Sequence, residues 1–127
     1  PDLCNPSVHP EADEHLICSL GQLPKYIQIT SETYIVLTTR GSSIDVEGLD
    51  ALLQTPAAYI GVIGSNRRWI TTRNGLIEKG VPESALSRVH SPIGLELGAE
   101  TPEEIAVSIM AELLMVRHHG SGKEMKL

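Results

Sequence analysis

Three short segments of this chain carry side chains able to hold a small ligand: Thr38-Thr39-Arg40-Gly41-Ser42-Ser43, Gly64-Ser65-Asn66-Arg67-Arg68 and His90-Ser91-Pro92-Ile93-Gly94. Each follows an apolar run, and open α/β sheets bind their ligands beyond the carboxyl ends of the strands, where loops pass into helix starts. The middle segment is the most informative. A helix N-terminus carries partial positive charge, so each of Arg67 and Arg68 opposes the local field by a few tenths to about 1 kcal/mol. An anion relieves that conflict: the N–H groups after Gly64, the Ser65 hydroxyl and two guanidinium groups together make a phosphate or carboxylate site. Residues 61–90 hold five basic and two acidic side chains, whereas residues 1–34, 35–60 and 91–127 sum to −4, −2 and −3. The other reading of the two arginines is a solvated face, or pairing with acidic residues from another segment. The candidate cofactor-binding set is therefore Gly64, Ser65, Asn66, Arg67 and Arg68, joined by Thr38, Thr39, His90 and Gly94 from the flanking loops.

Catalytic and metal-binding patterns are not found. His90, alone at a strand end, reads as a hydrogen-bonded structural residue, and nothing completes a nucleophilic triad around it. His118-His119 has no carboxylate or cysteine at ligand spacing. Cys4 and Cys18 suit neither a disulfide framework nor a zinc site and read as reduced thiols, Cys18 in a strand and Cys4 in a loop. Gly61-Val62-Ile63-Gly64 has two of the three glycines of a dinucleotide fingerprint, and the first lies in a strand.

The elements that must position these loops alternate between strand and helix. Residues 1–15, with Pro1, Pro6 and Pro10 among acidic side chains, read as a connecting loop. Leu16-Ile17-Cys18 reads as a short strand and residues 19–33 as mostly irregular. Tyr34 to Thr38 is continuously apolar and β-branched, which predicts a strand buried on both faces. Val46, Leu49, Leu52 and Leu53 form one helical stripe, capped by Ser43 or Asp45 and ended by Pro56. Ala58 to Ile63 repeats the buried strand. A second helix follows with Trp69, Ile70, Leu76 and Ile77 inward and Gly80 as its stop. Pro82 and Glu83 open a short helix reaching about Arg88, and Val89 to Leu95 is extended, broken by Pro92 and Gly94. Thr101-Pro102-Glu103-Glu104 combines a capping box with proline at the first helical position. From Ile105 to Val116 only Ser108 and Glu112 are polar, which predicts a helix that is buried or in an interface, with Glu104, Ser108 and Glu112 as its exposed edge. Such alternation implies βαβ units and a parallel sheet.

The chain has 127 residues, 41% hydrophobic and 20% charged, with a formal net charge of −6. These values predict one soluble domain with a single core. No apolar run approaches the ~20 residues of a membrane span and no leader opens the chain, so no membrane role and a cytoplasmic location are expected. The acidic balance, one Trp, three Tyr and no Phe argue against nucleic acid as a partner.

Two long ordered motifs carry a family resemblance. They are Pro56-Ala57-Ala58-Tyr59-Ile60-Gly61-Val62-Ile63-Gly64-Ser65-Asn66-Arg67-Arg68 and the stretch from His90-Ser91-Pro92-Ile93-Gly94 through Gly98-Ala99-Glu100-Thr101-Pro102-Glu103-Glu104 to Ile109. Together they resemble the C-terminal domain of the XdhC/CoxI family, the xanthine dehydrogenase accessory factors, over nearly the whole chain. The resemblance implies a three-layer Rossmann-like α/β domain over residues 1–117, a parallel sheet flanked by helices, with 118–127 as a flexible tail. It also implies a domain incomplete at its N-terminal βα unit, the first strand, Gly-rich turn and first helix lying upstream of Pro1. Family members bind the molybdenum cofactor, protect it while an oxo ligand is exchanged for sulfur with a cysteine desulfurase, and deliver it to a molybdenum hydroxylase such as xanthine dehydrogenase. The implied role is thus a carrier and chaperone rather than an enzyme. An NAD(P)-dependent oxidoreductase or redox partner using the same cleft is a second reading, and a structural or regulatory domain with a vestigial pocket a third. Where many members have Thr-x-x-His after the strand, this chain has Thr39-Arg40-Gly41-Ser42, so no metal or proton-transfer histidine carries over to that position. A partial sheet exposes a strand edge, which predicts a homodimer with the helix from Thr101 to Arg117 near the contact.

Overall fold

In a computed structural model of the chain, which describes residues 2–127, three strands form a parallel sheet in the order β1-β2-β3. Pro1 lies outside the described residues. The strands are β1 (Tyr34–Leu37), β2 (Tyr59–Val62) and β3 (Val89–His90), with Tyr34 opposite Tyr59 and Gly61 opposite His90. Between them run α1 (Ser42–Leu52), α2 (Asn66–Glu78) and α3 (Glu83–Leu86), and α4 (Pro102–His118) closes the fold. Side chains alternate across a strand, which sorts the core onto two faces. Ile35, Leu37, Ile60 and Val62 pack with Leu49, Leu52, Leu76 and Leu86 of the three inner helices. On the opposite face Tyr34 stacks on Tyr59 and Tyr59 on His90, and α4 reaches this row through Glu112. The result is the parallel sheet expected from the alternation, flanked by helices in the Rossmann-like α/β arrangement that the resemblance implies.

Several local expectations are corrected. Leu16-Ile17-Cys18 is not a strand: Leu16 and Ile17 are exposed, and Cys18 is half-buried in irregular chain. A 3-10 helix over Leu20–Lys25 occupies part of the stretch expected to be irregular and packs on α1. β1, at the edge of the sheet, is not buried on both faces: Ile35 and Leu37 are buried, whereas Val36 is exposed. Helix α1 starts at Gly41 rather than at a side-chain cap, since Asp45 is drawn inward by Arg68. In α2 the inward stripe is Thr72 and Leu76 with half-buried Trp69, while Ile70 and Ile77 are exposed. The extended segment after Arg88 keeps ladder pairing only at Val89–His90.

Helix α4 reverses expectation on its faces, although its start is the expected one. Thr101 accepts from the Glu104 N–H, the Glu104 carboxylate accepts from the Thr101 N–H, and Pro102 follows the cap. Ser108 and Glu112, expected at the wet edge, are its buried residues, and the apolar Val107, Met110 and Leu114 face outward. Two polar contacts decide this inversion: Tyr59 and the loop after β3 both offer donors or acceptors that only a polar face can satisfy. Among the described residues no helix is long and apolar enough to cross a membrane.

Candidate functional site

Helix α2 begins where β2 ends, and Gly64 makes the turn with φ +145, a conformation that side chains disfavour. Ser65 caps the helix: its Oγ accepts from the Arg68 N–H at 3.2 Å, and its carbonyl accepts from the Trp69 N–H at 3.0 Å. The N–H groups of Asn66 and Arg67 have no protein acceptor among the described residues, as befits the open first turn of a helix. The first turn of α2 contains no acidic residue, whereas α1, α3 and α4 carry Asp45, Glu83, and Glu103 with Glu104 respectively. The first turn of α2 therefore supplies no acid of its own to the positive end of the helix.

The two arginines there have different fates. Arg68 folds back under the helix and donates from Nε to Asp45 Oδ2 at 2.8 Å and from Nη2 to Thr39 Oγ1 at 2.7 Å. The Thr39 hydroxyl in turn donates to Asp45 Oδ1. With Asp45 only 1% exposed, this triad ties the ends of β1, α1 and α2 together, and the guanidinium of Arg68 is engaged within the protein. Arg67 is exposed and its guanidinium has no partner among the described residues. The remaining basic residues of the positive segment are also occupied. Arg73 pairs with Glu83 and Lys79 with Asp50, and Arg88 donates to the carbonyls of Leu53, Thr55 and Ala57 beyond the end of α1. The local excess of positive charge thus reduces, at the site, to Arg67 and the α2 N-terminus.

Beside that terminus lies a cleft of ≈ 340 Å³. It is lined by Gly64, by Ile93, Leu95, the acidic Glu96 and Leu97, and by Ile105 and Ser108 of α4. Its size and mixed lining suit a small organic molecule. Gly64 is both a wall of the cleft and the residue before the Ser65 cap, so a bound ring and an anionic group at α2 are contiguous.

Under the cleft sits a buried polar group that reasoning from sequence missed. Glu112, 7% exposed, accepts from the Tyr59 hydroxyl at 2.6 Å and from the Gly94 N–H at 3.1 Å through Oε1. Its Oε2 lies 3.7 Å from His90 Nδ1. Burial first, then the hydrogen bond to Glu112 and the charge of that carboxylate, keep the Tyr59 phenol protonated well above the usual range. The Ser108 carbonyl accepts from the Leu95 N–H at 3.2 Å. The signal was present as two polar positions four apart in an otherwise apolar helix, but the same pattern also describes a wet edge. Gly61 belongs to this packing as well: a Cβ there would collide with the Tyr59 hydroxyl and the Ile93 side chain. Its glycine character answers to Ile93, not to a dinucleotide.

The structure thus divides the nine candidate residues. Gly64, Ser65, Asn66, Arg67, Arg68 and Thr39 converge at the α2 start, with Thr38 exposed after the same strand. His90 and Gly94 join Glu112 on the other face of the sheet, and the loop after Gly94 returns to the cleft wall.

The family model described as the XdhC Rossmann domain matches residues 1–113. The chain belongs to the XdhC family. Among XdhC relatives, an uncharacterized protein of Escherichia coli K12, YqeB, is 35% identical over 93% of the chain and 22% of its own length. A Bacillus subtilis 168 protein whose name makes it a probable xanthine dehydrogenase component is 34% identical over 92% of the chain and 33% of its own length. The molybdenum cofactor insertion chaperone PaoD of Escherichia coli K12 is 26% identical over 72% of the chain and 29% of its own length. A crystal structure described as a xanthine dehydrogenase from Bacillus halodurans superposes with a TM-score of 0.75 at 30% identity, over 98% of this chain and 35% of that one. The chain therefore spans about a fifth to a third of the XdhC relatives it matches.

Proposed function

We propose that this chain is the ligand-holding domain of an accessory factor that binds the molybdenum cofactor and hands it to a molybdenum hydroxylase such as xanthine dehydrogenase. The observation that carries the reading is the cleft at Gly64, contiguous with a helix start whose first turn bears no acid and with Arg67, which has no partner among the described residues. Molybdopterin combines a flat heterocycle with a phosphate. The residues fit such a group: Ile93, Leu95 and Leu97 would flank the ring, and the N–H groups of Asn66 and Arg67 with the Arg67 guanidinium would hold the phosphate. When bound, the cofactor supplies the redox chemistry of the hydroxylase that receives it; the residues of this chain bind, orient and shield it. Family membership and the similarity to PaoD support this assignment. Exchange of sulfur onto the cofactor by a cysteine desulfurase, action in the cytoplasm, and assembly as a homodimer belong to the same proposal.

The test is a binding titration of the chain with molybdenum cofactor and, in parallel, with NADPH, repeated on Arg67→Ala. Arg67 is the right position because Arg68 is tied to Asp45. Cofactor affinity that falls about tenfold in the variant, a loss of about 1.4 kcal/mol, is the expected result. Cofactor affinity unchanged in Arg67→Ala removes this site. Binding of NADPH alone replaces the carrier with a nicotinamide-dependent oxidoreductase.

A further inference from the structure

Helix α4 spans 17 residues and presents its apolar residues to solvent. Val107, Met110 and Leu114 are 62%, 55% and 51% exposed. A surface helix ordinarily buries such a stripe, and a contiguous exposed one marks an interaction surface. The stripe has a regular continuation: Glu103, Val107, Met110, Leu114 and Arg117 follow one another at steps of 4, 3, 4 and 3. That spacing keeps all five on one seam of a helix and is the repeat by which two helices pack side by side. Glu103 and Arg117 are themselves exposed and stand outside the salt bridges of the described residues.

The charges at the two ends of the seam decide the partner. Met110 lies seven residues after Glu103 and seven before Arg117. A second α4 laid antiparallel about a two-fold axis at Met110 therefore sets Glu103 of each copy against Arg117 of the other, with Val107 of each copy within one residue of Leu114 of the other between them. A parallel pair would instead set Glu103 against Glu103 and Arg117 against Arg117. We infer that this seam is an isologous interface in which two copies of the chain pair through antiparallel α4 helices, closed at both ends by Glu103–Arg117 contacts. This rests on the homodimer reading given above and specifies its geometry. The symmetry is self-complementary, as a two-fold interface requires.

The experiment is sedimentation velocity on the 127-residue chain over a concentration series, with four variants whose fold is checked by circular dichroism. Met110→Glu places two carboxylates at the axis and is expected to weaken association at least about tenfold. Glu103→Lys alone and Arg117→Glu alone each create two like-charge pairs and are expected to weaken it roughly threefold or more. The double variant Glu103→Lys/Arg117→Glu restores opposite charges at both ends and is expected to return most of the way to the parent. A chain that is monomeric at every concentration overturns both the pairing and the homodimer. A dimer insensitive to Met110→Glu overturns the pairing alone, and a double variant as weak as the singles overturns its antiparallel sense.

Discussion

Removing the Arg68 side chain leaves the Asp45 carboxylate 1% exposed with one remaining side-chain partner, the Thr39 hydroxyl. Breaking a buried ion pair by deleting one member costs about 3–5 kcal/mol, because the survivor keeps its desolvation penalty without its counter-charge. The Arg68 side chain is 22% exposed, so water screens part of the pair and the lower end, about 3 kcal/mol, applies. Domains of this size are stable by about 5–15 kcal/mol, so Arg68→Ala removes a fifth to more than half of the total. With a urea m value of about 1–3 kcal/mol/M, the unfolding midpoint followed by far-ultraviolet circular dichroism falls by about 1–3 M. Arg67→Ala, one position away on the same helix, stays within about 0.5 kcal/mol of the parent because its side chain is exposed and makes no hydrogen bond or salt bridge among the described residues. Adding Asp45→Asn to Arg68→Ala recovers part of the loss by removing the buried charge. Equal midpoint shifts for Arg67→Ala and Arg68→Ala would refute the assignment of one arginine to structure and the other to ligand.

Four further outcomes follow from the geometry. Tyr59→Phe deletes a hydrogen bond to a buried carboxylate and costs about 1.5–3 kcal/mol by chemical denaturation, while the sheet keeps its apolar packing. Gly61→Ala forces a methyl group into Ile93 and Tyr59 and costs about 1–3 kcal/mol by the same assay, with no change expected in nucleotide affinity. The Glu100 and Thr101 N–H groups that donate to Glu104 hold its carboxyl below the usual range, so the unfolded chain binds the proton more readily. That contribution is complete above the ordinary glutamate pKa of about 4.3 and is lost as pH falls through the lowered value; Glu104→Gln flattens the acid limb of a stability-against-pH curve. At alkaline pH the opposite sign holds for Tyr59: its raised pKa means that stability begins to fall from about pH 10, where the unfolded phenol ionises, and a spectrophotometric titration shows one of the three tyrosines ionising only on unfolding.

The parallel order of β1, α1, β2 and α2 was legible because β1 and β2 are short apolar runs and α1 carries a stripe of leucines, signals that arise from burial itself. The start of α4 was legible for a different reason, since a capping box is local chemistry that needs no tertiary partner. What failed were features decided at a distance. Asp45 looks like an N-cap until Arg68, 23 residues later, is placed beside it. Glu112 looks solvent-facing until Tyr59, 53 residues earlier, supplies a buried hydroxyl. Summing charges along the sequence makes residues 61–90 a positive patch, yet pairing with Asp45, Glu83, Asp50 and backbone carbonyls leaves one arginine of that segment without a partner among the described residues. Periodicity reports which face is apolar, and for α4 that face is the outer one.

The fastening of α4 by polar contacts has a thermodynamic corollary. Its carboxylate and a backbone carbonyl hold Gly94 and Leu95, so the rim of the cleft and the helix order as one unit. A group held by a few hydrogen bonds rather than by buried area opens locally before the domain unfolds, and its amide protons exchange on that faster schedule. On the proposals above, a molecule settling in the cleft and a second copy pairing on α4 would share that ordering cost. Whichever binds first meets that cost, and linkage makes the gain to the second the same in either order.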